Sequence, residues 1–557
     1  MAASAPVRDA DSLADGRVFV AGGFIPADGA TSWLAKDARG WQPSNSYLLL
    51  EPGRGVLVDT GVAAYAAQVV EQLERVVPEG VPLSIFLTRA ELDCIGNLGP
   101  ISDRLQVEGV FAGGNNNPFD AFDAVADRAA IRVQVGKRTG QLPIVLSESR
   151  SLEVFDAPLR LLATYWVYDE ATRTLFTSDS FGHQLVESPD RARVVTDADE
   201  CDQAVVESHL LAKFGWIAEA DTSPVRAALE TVFAERVVEI VAPTNGCAIV
   251  GSAAVATHYE AVQRVLAKHE RRRTRRDAGS EPALAPAPPV HDAKSHSLPR
   301  ELAPGVTWLG DCLKRMEGDQ PVHVHTSCYF MEGERQTLLV DTGHPTHWRQ
   351  VERTLDTLLD GRTLDWIFPT HPELPHAGNL NRLLAKFPDA RVTGDVRDYH
   401  LYCPEYVDRL VPRAAGSELD LGERTITFLE APIRDLPSTQ WAYDSRAQIL
   451  FVADAFGYTH GGLDAVGGDE PVHRPGECGL LSTELPEPPT IEQTAFLTRA
   501  ALHWSRYVDV APHFAKVEAL LERYPAKLVA PAHGNVISDL EALLPILRAA
   551  HRAVLVT

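Results

Sequence analysis

Positive charge is in short supply in this 557-residue chain: 52 Lys and Arg face 76 Asp and Glu, a formal net charge of −24. A surface of that sign repels DNA, RNA and anionic lipid, so neither nucleic acid nor membrane is expected as a partner. Apolar runs of the roughly 18–20 residues that a bilayer span requires are missing. Met1–Asp15 is Ala-rich and acidic without an apolar core, so no signal peptide is expected. Cysteine is sparse: Cys94, Cys201, Cys247, Cys312, Cys328, Cys403 and Cys478 are scattered and form no C-x-x-C. That pattern fits a reducing, cytoplasmic setting and predicts neither a disulfide framework nor a thiolate cluster. A Gly-rich dinucleotide fingerprint is also lacking, so no tightly bound flavin is expected. What remains is ordinary globular material, 45% apolar and 23% charged. At roughly 100–200 residues per domain it allows about three to five domains, or two large ones.

The sharpest change of composition lies just before the middle. KHERRRTRR (Lys268–Arg276) runs into EPALAPAPPV (Glu281–Val290), a basic helix end followed by a Pro-rich tether. The halves on either side repeat one another. LVDTG occurs at Leu57–Gly61 and Leu339–Gly343, and FLTRAELDCIGNL (Phe86–Leu98) faces FPTHPELPHAGNL (Phe368–Leu380). One offset, 282 residues, separates Asp59 from Asp341 and Arg89 from His371. Further on, LFTSDSFG (Leu175–Gly182) faces LFVADAFG (Leu450–Gly457), and APTNG (Ala242–Gly246) faces APAHG (Ala530–Gly534). The chain is therefore a tandem duplication, with domains expected at 1–268 and 301–557 and a linker at 269–300.

Within each copy, short apolar runs alternate with helical spacing. Tyr47–Leu50, Val56–Val58 and Ser84–Leu87 read as strands and Ala63–Val77 as a helix. The second copy repeats this with Ser327–Met331, Thr337–Val340, His347–Leu359 and Trp366–Phe368. Each copy is α/β, with strands feeding polar loops where ligands usually bind.

With LVDTG followed by T-H-P-E-L-P-H-A-G-N-L, the second copy resembles the metallo-β-lactamase superfamily, which implies two tandem αββα sandwich domains. Within that superfamily the second copy is similar to the diiron domain of flavodiiron proteins, whose metal loop reads H-x-E-x-D-H. The resemblance implies His371, Glu373 and His376 as ligands from the loop, Asp454 from LFVADAFG and His533 from PAHG. Two positions depart from it. Pro375 replaces the loop Asp, and A-P-I-R-D places Asp435 where flavodiiron proteins carry a His. A carboxylate there resembles the diiron β-hydroxylase of chloramphenicol biosynthesis, which oxidises an organic substrate and makes a carrier-protein-bound substrate a candidate.

The chemistry of these residues supports metal binding on its own terms. Two prolines within His371–His376 place the three donors on a loop, unlike the helical H-E-x-x-H of zinc proteases. Three imidazoles with three carboxylates suit iron or manganese better than closed tetrahedral zinc. Two iron ions are expected, with one iron, zinc or manganese as alternatives. Asp454 is placed to bridge, with His371, Glu373 and Asp435 on one metal and His376 and His533 on the other. Asp341 is expected to orient a ligand imidazole, and Asp435 to add the negative charge that favours a higher oxidation state. His323 and His325 alternate along one strand face and are expected to be structural.

The first copy carries Arg89, Glu91, Asp93 and Cys94 at the loop and Asn245 in place of His533, while Asp179 persists. A guanidinium cannot ligate a cation, so this copy is expected to be metal-free, with Arg89 paired to Glu91, Asp93 or Asp179. Flavodiiron proteins pair as homodimers, so the degenerate copy is expected to scaffold the other as an intrachain pseudo-dimer. They also carry a flavodoxin domain, for which no room follows His533. The expected activity is therefore a non-haem diiron oxidoreductase that activates dioxygen to oxidise a small-molecule substrate with an external electron donor. A metal-dependent hydrolase of an ester, thioester or amide, an oxygen or nitric oxide reductase, and a redox-sensing module are the alternatives.

Overall fold

The computed structural model of the chain describes residues 10–113, 117–122, 130–135, 144–271, 295–317, 320–459 and 476–555. It divides into two compact units, Met1–Arg272 with His400–Pro404, and Arg273–Tyr399 with Glu405–Thr557. The helix Ser252–His269 ends with Lys268 and His269 in its last turn, where cations complement the helix dipole. Most of the expected linker, residues 272–294, lies outside the described residues. Among the described residues no helix is long and apolar enough to cross a membrane.

In the first unit the run LSIFL at Leu83–Leu87 is buried at every position because it lies inside a sheet covered on both faces. It pairs in parallel with Arg54–Val58 on one side and Val107–Ala112 on the other. The sheet has seven strands in sequence order, antiparallel through the first four and parallel thereafter. A second seven-stranded sheet faces it, and Val56, Val58 and Phe86 of one sheet share a core with Leu152, Val167 and Phe176 of the other. Each fully buried side chain of this size contributes about 1.5–3 kcal/mol.

The second unit repeats the plan. Strands Arg300–Ala303, Val306–Glu317, Gln320–Glu332 and Thr337–Val340 are antiparallel, and Trp366–Phe368, Arg391–Gly394 and Leu410–Pro412 continue in parallel. The facing sheet has five strands, with Thr425–Glu430, Gln440–Asp444 and Ile449–Phe451 antiparallel and Leu528–Ala530 parallel to the last. Trp308, Tyr329 and Phe368 from one sheet pack with Phe428 and Phe451 from the other. The expected helix at His347–Leu359 begins with a tight turn, Pro345–His347, and continues as Trp348–Leu359. It buries Val351, Leu355 and Leu359, one residue per turn, as an amphipathic helix on a sheet must. Each unit is thus an α/β, αββα arrangement.

The duplication extends to backbone conformations that side chains resist. Asp59 and Asp341 take φ of 57° and 56°, Ser178 and Ala453 both 50°, and Phe181 and Phe456 both 65°. Left-handed backbone at non-glycine residues costs free energy and persists only where the surroundings demand it. All three pairs lie at or just beyond the ends of strands with a parallel neighbour, at the carboxyl edge of the sheets. Tyr47 and Tyr329 likewise donate their phenolic O–H to equivalent carbonyls, Pro243 at 2.7 Å and Pro531 at 2.6 Å. These bonds join the two sheets of each unit at that edge.

Candidate metal centre

The predicted site residues of the second unit all follow strands. Asp341 comes after Thr337–Val340, the loop His371–His376 after Trp366–Phe368, Asp435 after Thr425–Glu430, Asp454 after Ile449–Phe451 and His533 after Leu528–Ala530. Five loops from two sheets therefore converge on one edge, the usual place for a ligand in an open α/β sheet. The backbone N–H of Thr342 donates to the His376 carbonyl at 2.8 Å, tying LVDTG to the histidine loop. Gly534 allows the turn after His533, since its φ is 92° and a Cβ there would lie 2.6 Å from the Tyr458 carbonyl oxygen.

One expectation needs correcting. His376 is not on an irregular loop but inside a one-turn helix, Leu374–Ala377, that starts beyond Glu373. Pro375 does not break this turn, because the first turn of a helix leaves its N–H groups unbonded in any case.

The structure brings His371, Glu373, His376 and Asp454 together, with one ligand atom of each within 4.8 Å of the others. Asp435 joins through Oδ2, 3.1 Å from His371 Nε2, and His533 through Nε2, 3.5 Å from Asp454 Oδ1. His376 Nε2 lies 2.9 Å from the same Asp454 oxygen, and the His371 and His376 ring centres are 3.8 Å apart. All six residues are buried.

Each ring is oriented from behind. His376 Nδ1 donates to Asp341 Oδ2 at 3.0 Å, and His533 Nδ1 donates to the His325 carbonyl at 3.0 Å. Asp341 is fixed in turn by the backbone N–H and hydroxyl of Thr370, at 2.7 and 2.9 Å. Asp435 accepts from the Thr439 hydroxyl at 2.6 Å. With Nδ1 of His376 and His533 engaged outward, Nε2 faces the cluster, as metal-ligating imidazoles require. His325 is buried in the core but contributes only its carbonyl to this arrangement.

Four inward atoms, His371 Nε2, His376 Nε2, Asp435 Oδ2 and Asp454 Oδ1, make no hydrogen bond despite being buried. Orphaned polar atoms are costly, and a cation shared among them removes the cost. Burial pushes the His371 imidazole down. It opposes charge on His376 as well, but the Asp341 and Asp454 carboxylates outweigh it and raise that imidazole well above its ordinary value. Burial would raise Asp454, yet His376 and His533 hold it below the usual carboxylate range. The residues present therefore fit a bound cation, which would take the place of the positive charge that Asp341 and Asp454 favour on His376. Asp341→Asn removes the carboxylate behind His376 while keeping its shape. We expect metal affinity to fall about 10–100-fold with the fold intact, measured by competition with a calibrated chelator; equal affinities would show that Asp341 does not orient the ligand.

Residues 322–485 match the family model described as the metallo-beta-lactamase superfamily. The second unit carries a metallo-beta-lactamase domain. The matched range contains Asp341, His371, Glu373, His376, Asp435 and Asp454 and stops short of His533. Among curated proteins, a coenzyme oxidase of Methanocaldococcus jannaschii is 30% identical over 177 residues, 29% of this chain and 42% of that protein. The anaerobic nitric oxide reductase flavorubredoxin of Pectobacterium atrosepticum is 28% identical over 248 residues, 42% of this chain and 44% of the relative. The chain spans less than half the length of these relatives. Among solved structures, the rubredoxin oxygen:oxidoreductase of Desulfovibrio gigas aligns with 46% of this chain and 61% of its own, at 19% identity and a TM-score of 0.36. The flavodiiron protein of Giardia intestinalis aligns with 46% and 60%, at 17% identity and a TM-score of 0.35.

The corresponding edge of the first unit is filled by charge of its own. Arg89 pairs with Asp93 through Nη2 and with Asp179 through Nη1, and Lys213 Nζ lies 2.6 Å from the other Asp179 oxygen. All four side chains are buried. Burial disfavours the Arg89 cation, but Asp179 and Asp93 more than compensate, and Asp179 is held below the usual range by Arg89 and Lys213 against its own burial. Lys213, from the helix Gln203–Lys213, carries no signal in the sequence, because it lies outside every repeated block. Asp59, the counterpart of Asp341, accepts from Thr88 and Thr244 and is pushed up to about 6 by burial. His183, Cys201 and His258 also converge in this unit, where His183 Nε2 and His258 Nδ1 share a 2.7 Å hydrogen bond. Burial keeps both imidazoles neutral.

The expectation that no thiol cluster forms is also corrected. None of the seven cysteines forms a disulfide, but Cys312 and Cys478 lie with their sulfur atoms 3.8 Å apart, beside His323.

Proposed function

We propose that the second unit is the diiron site of an oxidoreductase that uses dioxygen to oxidise an organic small molecule. The observation that carries this reading is the convergence of His371, His376 and His533 with the carboxylates of Glu373, Asp435 and Asp454, where His371 Nε2, His376 Nε2, Asp435 Oδ2 and Asp454 Oδ1 are buried without a hydrogen bond. Such a mixed nitrogen and oxygen set, rich in carboxylates, suits iron better than closed tetrahedral zinc. The relatives add support, since they are named as an oxidase and as a nitric oxide reductase.

His371, Glu373 and Asp435 would hold one iron, His376 and His533 the other, with Asp454 between them. When bound, an iron pair supplies the electrons and Lewis acidity that dioxygen reduction needs. The chain's own residues supply the frame. Asp341 and the His325 carbonyl fix the rings of His376 and His533, so each Nε2 keeps its direction as the charge of the site changes. Thr439 holds Asp435, whose negative charge favours a more oxidised metal beside His371. Burial of all six side chains limits water at the centre. Pro375 supplies no donor where a loop carboxylate would help orient a hydrolytic water, which separates this reading from hydrolysis. Substrate oxidation with reduction of dioxygen to water also requires an electron donor outside this site.

The test is metal analysis of the purified chain together with oxygen uptake. About two irons per chain, and oxygen consumption once the protein is chemically reduced, are expected. A centre occupied by zinc that turns over esters and takes up no oxygen would replace this reading with the hydrolase.

A further inference from the structure

The strand Val306–Glu317 pairs with Gln320–Glu332 so that Cys312 stands opposite His325 and diagonal to His323, on one face of the ribbon. Cys478 reaches the same place from a segment 166 residues away. Cys312 Sγ and Cys478 Sγ are 3.8 Å apart, and Cys478 Sγ is 3.6 Å from His323 Nε2. The three donor atoms all lie within 4.8 Å of one another.

Those separations are those of a tetrahedral ion. Bonds of about 2.3 Å to sulfur and about 2.0–2.1 Å to nitrogen space two sulfur atoms about 3.8 Å apart, and a sulfur and a nitrogen about 3.6 Å apart. We propose that Cys312, His323 and Cys478 form a second metal site, distinct from the iron centre, that binds one zinc ion through two thiolates and an imidazole. Both cysteines are partly exposed, so water completes the fourth position.

The surroundings hold the donors in place and favour a cation. His347 Nε2 donates to the Cys312 carbonyl at 3.1 Å, and the Asn535 amide donates to the carbonyls of Glu477 and Leu480, each at 2.9 Å, on either side of Cys478. The Asp311 carboxylate, 3.5 Å from Cys312 Sγ, adds negative charge beside the sulfur pair. Binding zinc exchanges the two thiol protons for the ion and leaves the group electrically neutral, with no change of oxidation state. Zinc also suits this soft sulfur pair better than it suits the oxygen-rich donor set around Asp454.

The loop so fixed is tied through Asn535 to the turn that carries His533. The zinc site therefore anchors one wall of the iron centre without contributing a ligand to it.

The experiment uses the full-length chain, purified without chelator and equilibrated with zinc. One zinc per chain is expected beyond the iron, and it should persist in Asp454→Ala and be lost in Cys312→Ser and Cys478→Ser with the iron retained. Alkylation of the unaltered protein gives an independent reading that needs no variant to fold. Cys312 and Cys478 should be protected until the zinc is chelated, while buried Cys328 and Cys403 stay unlabelled throughout. Equal labelling before and after chelation, recovery of a Cys312–Cys478 disulfide peptide, or zinc that survives loss of both thiols would each overturn the proposal.

Discussion

Asp454→Ala is expected to leave the chain folded but without its iron. Asp454 Oδ1 lies 2.9 Å from His376 Nε2 and 3.5 Å from His533 Nε2, and it is the carboxylate placed between the two halves of the donor set. Losing it would take a donor from both halves of the set at once, so both metal positions should fail together. Iron measured on the purified variant should drop from about two per chain to well below one, with oxygen uptake lost in step. The same substitution relieves a buried charge, so a cooperative unfolding transition should remain. Asp179→Asn, at the matching place in the first unit, should leave iron content unchanged and instead lower stability. An iron-replete Asp454→Ala protein, or loss of iron in Asp179→Asn, would mean that the live and the degenerate site have been exchanged.

The contrast between these aspartates shows what a sequence reveals and what it hides. LVDTG, the histidine loop and the D-x-F-G runs are legible because residues that act together are also neighbours in the chain. The shared offset of Asp59 with Asp341 and of Arg89 with His371 shows the duplication, and the matching left-handed backbone at both copies follows from it. The helical turn around His376 escapes notice because Pro375 reads as a helix breaker, although at a first turn it is tolerated. The support for His533 leaves no trace, since it comes from a backbone carbonyl that any residue at position 325 would offer. The Cys312–Cys478 pair is hidden for a different reason. Motif spacing detects donors that are close in sequence, whereas here the strand register and a distant loop bring them together. Lys213 is hidden in the same way.

Arg89→Met should destabilise the first unit by about 3–5 kcal/mol, the usual cost of breaking a buried ion pair from one side. The group holds two cations, Arg89 and Lys213, against two carboxylates, Asp93 and Asp179, all four of them buried. Methionine fills a similar volume, so the loss is chiefly electrostatic: two carboxylates are left facing one ammonium. Hydrogen exchange is the suitable measurement, because it reports the two units separately. Protection of Leu83–Leu87 and Thr174–Ser178, the strands that lead into Arg89 and Asp179, should fall roughly a hundredfold or more, while that of Trp366–Phe368 stays as it was. Adding Asp93→Asn to Arg89→Met restores one cation to one carboxylate and should recover most of the loss. If the double variant is no more stable than the single one, Arg89 acts through packing rather than charge. Recovery would instead identify the cluster as an internal replacement for metal charge, in which a guanidinium and an ammonium neutralise carboxylates at the edge where the second unit gathers its donors.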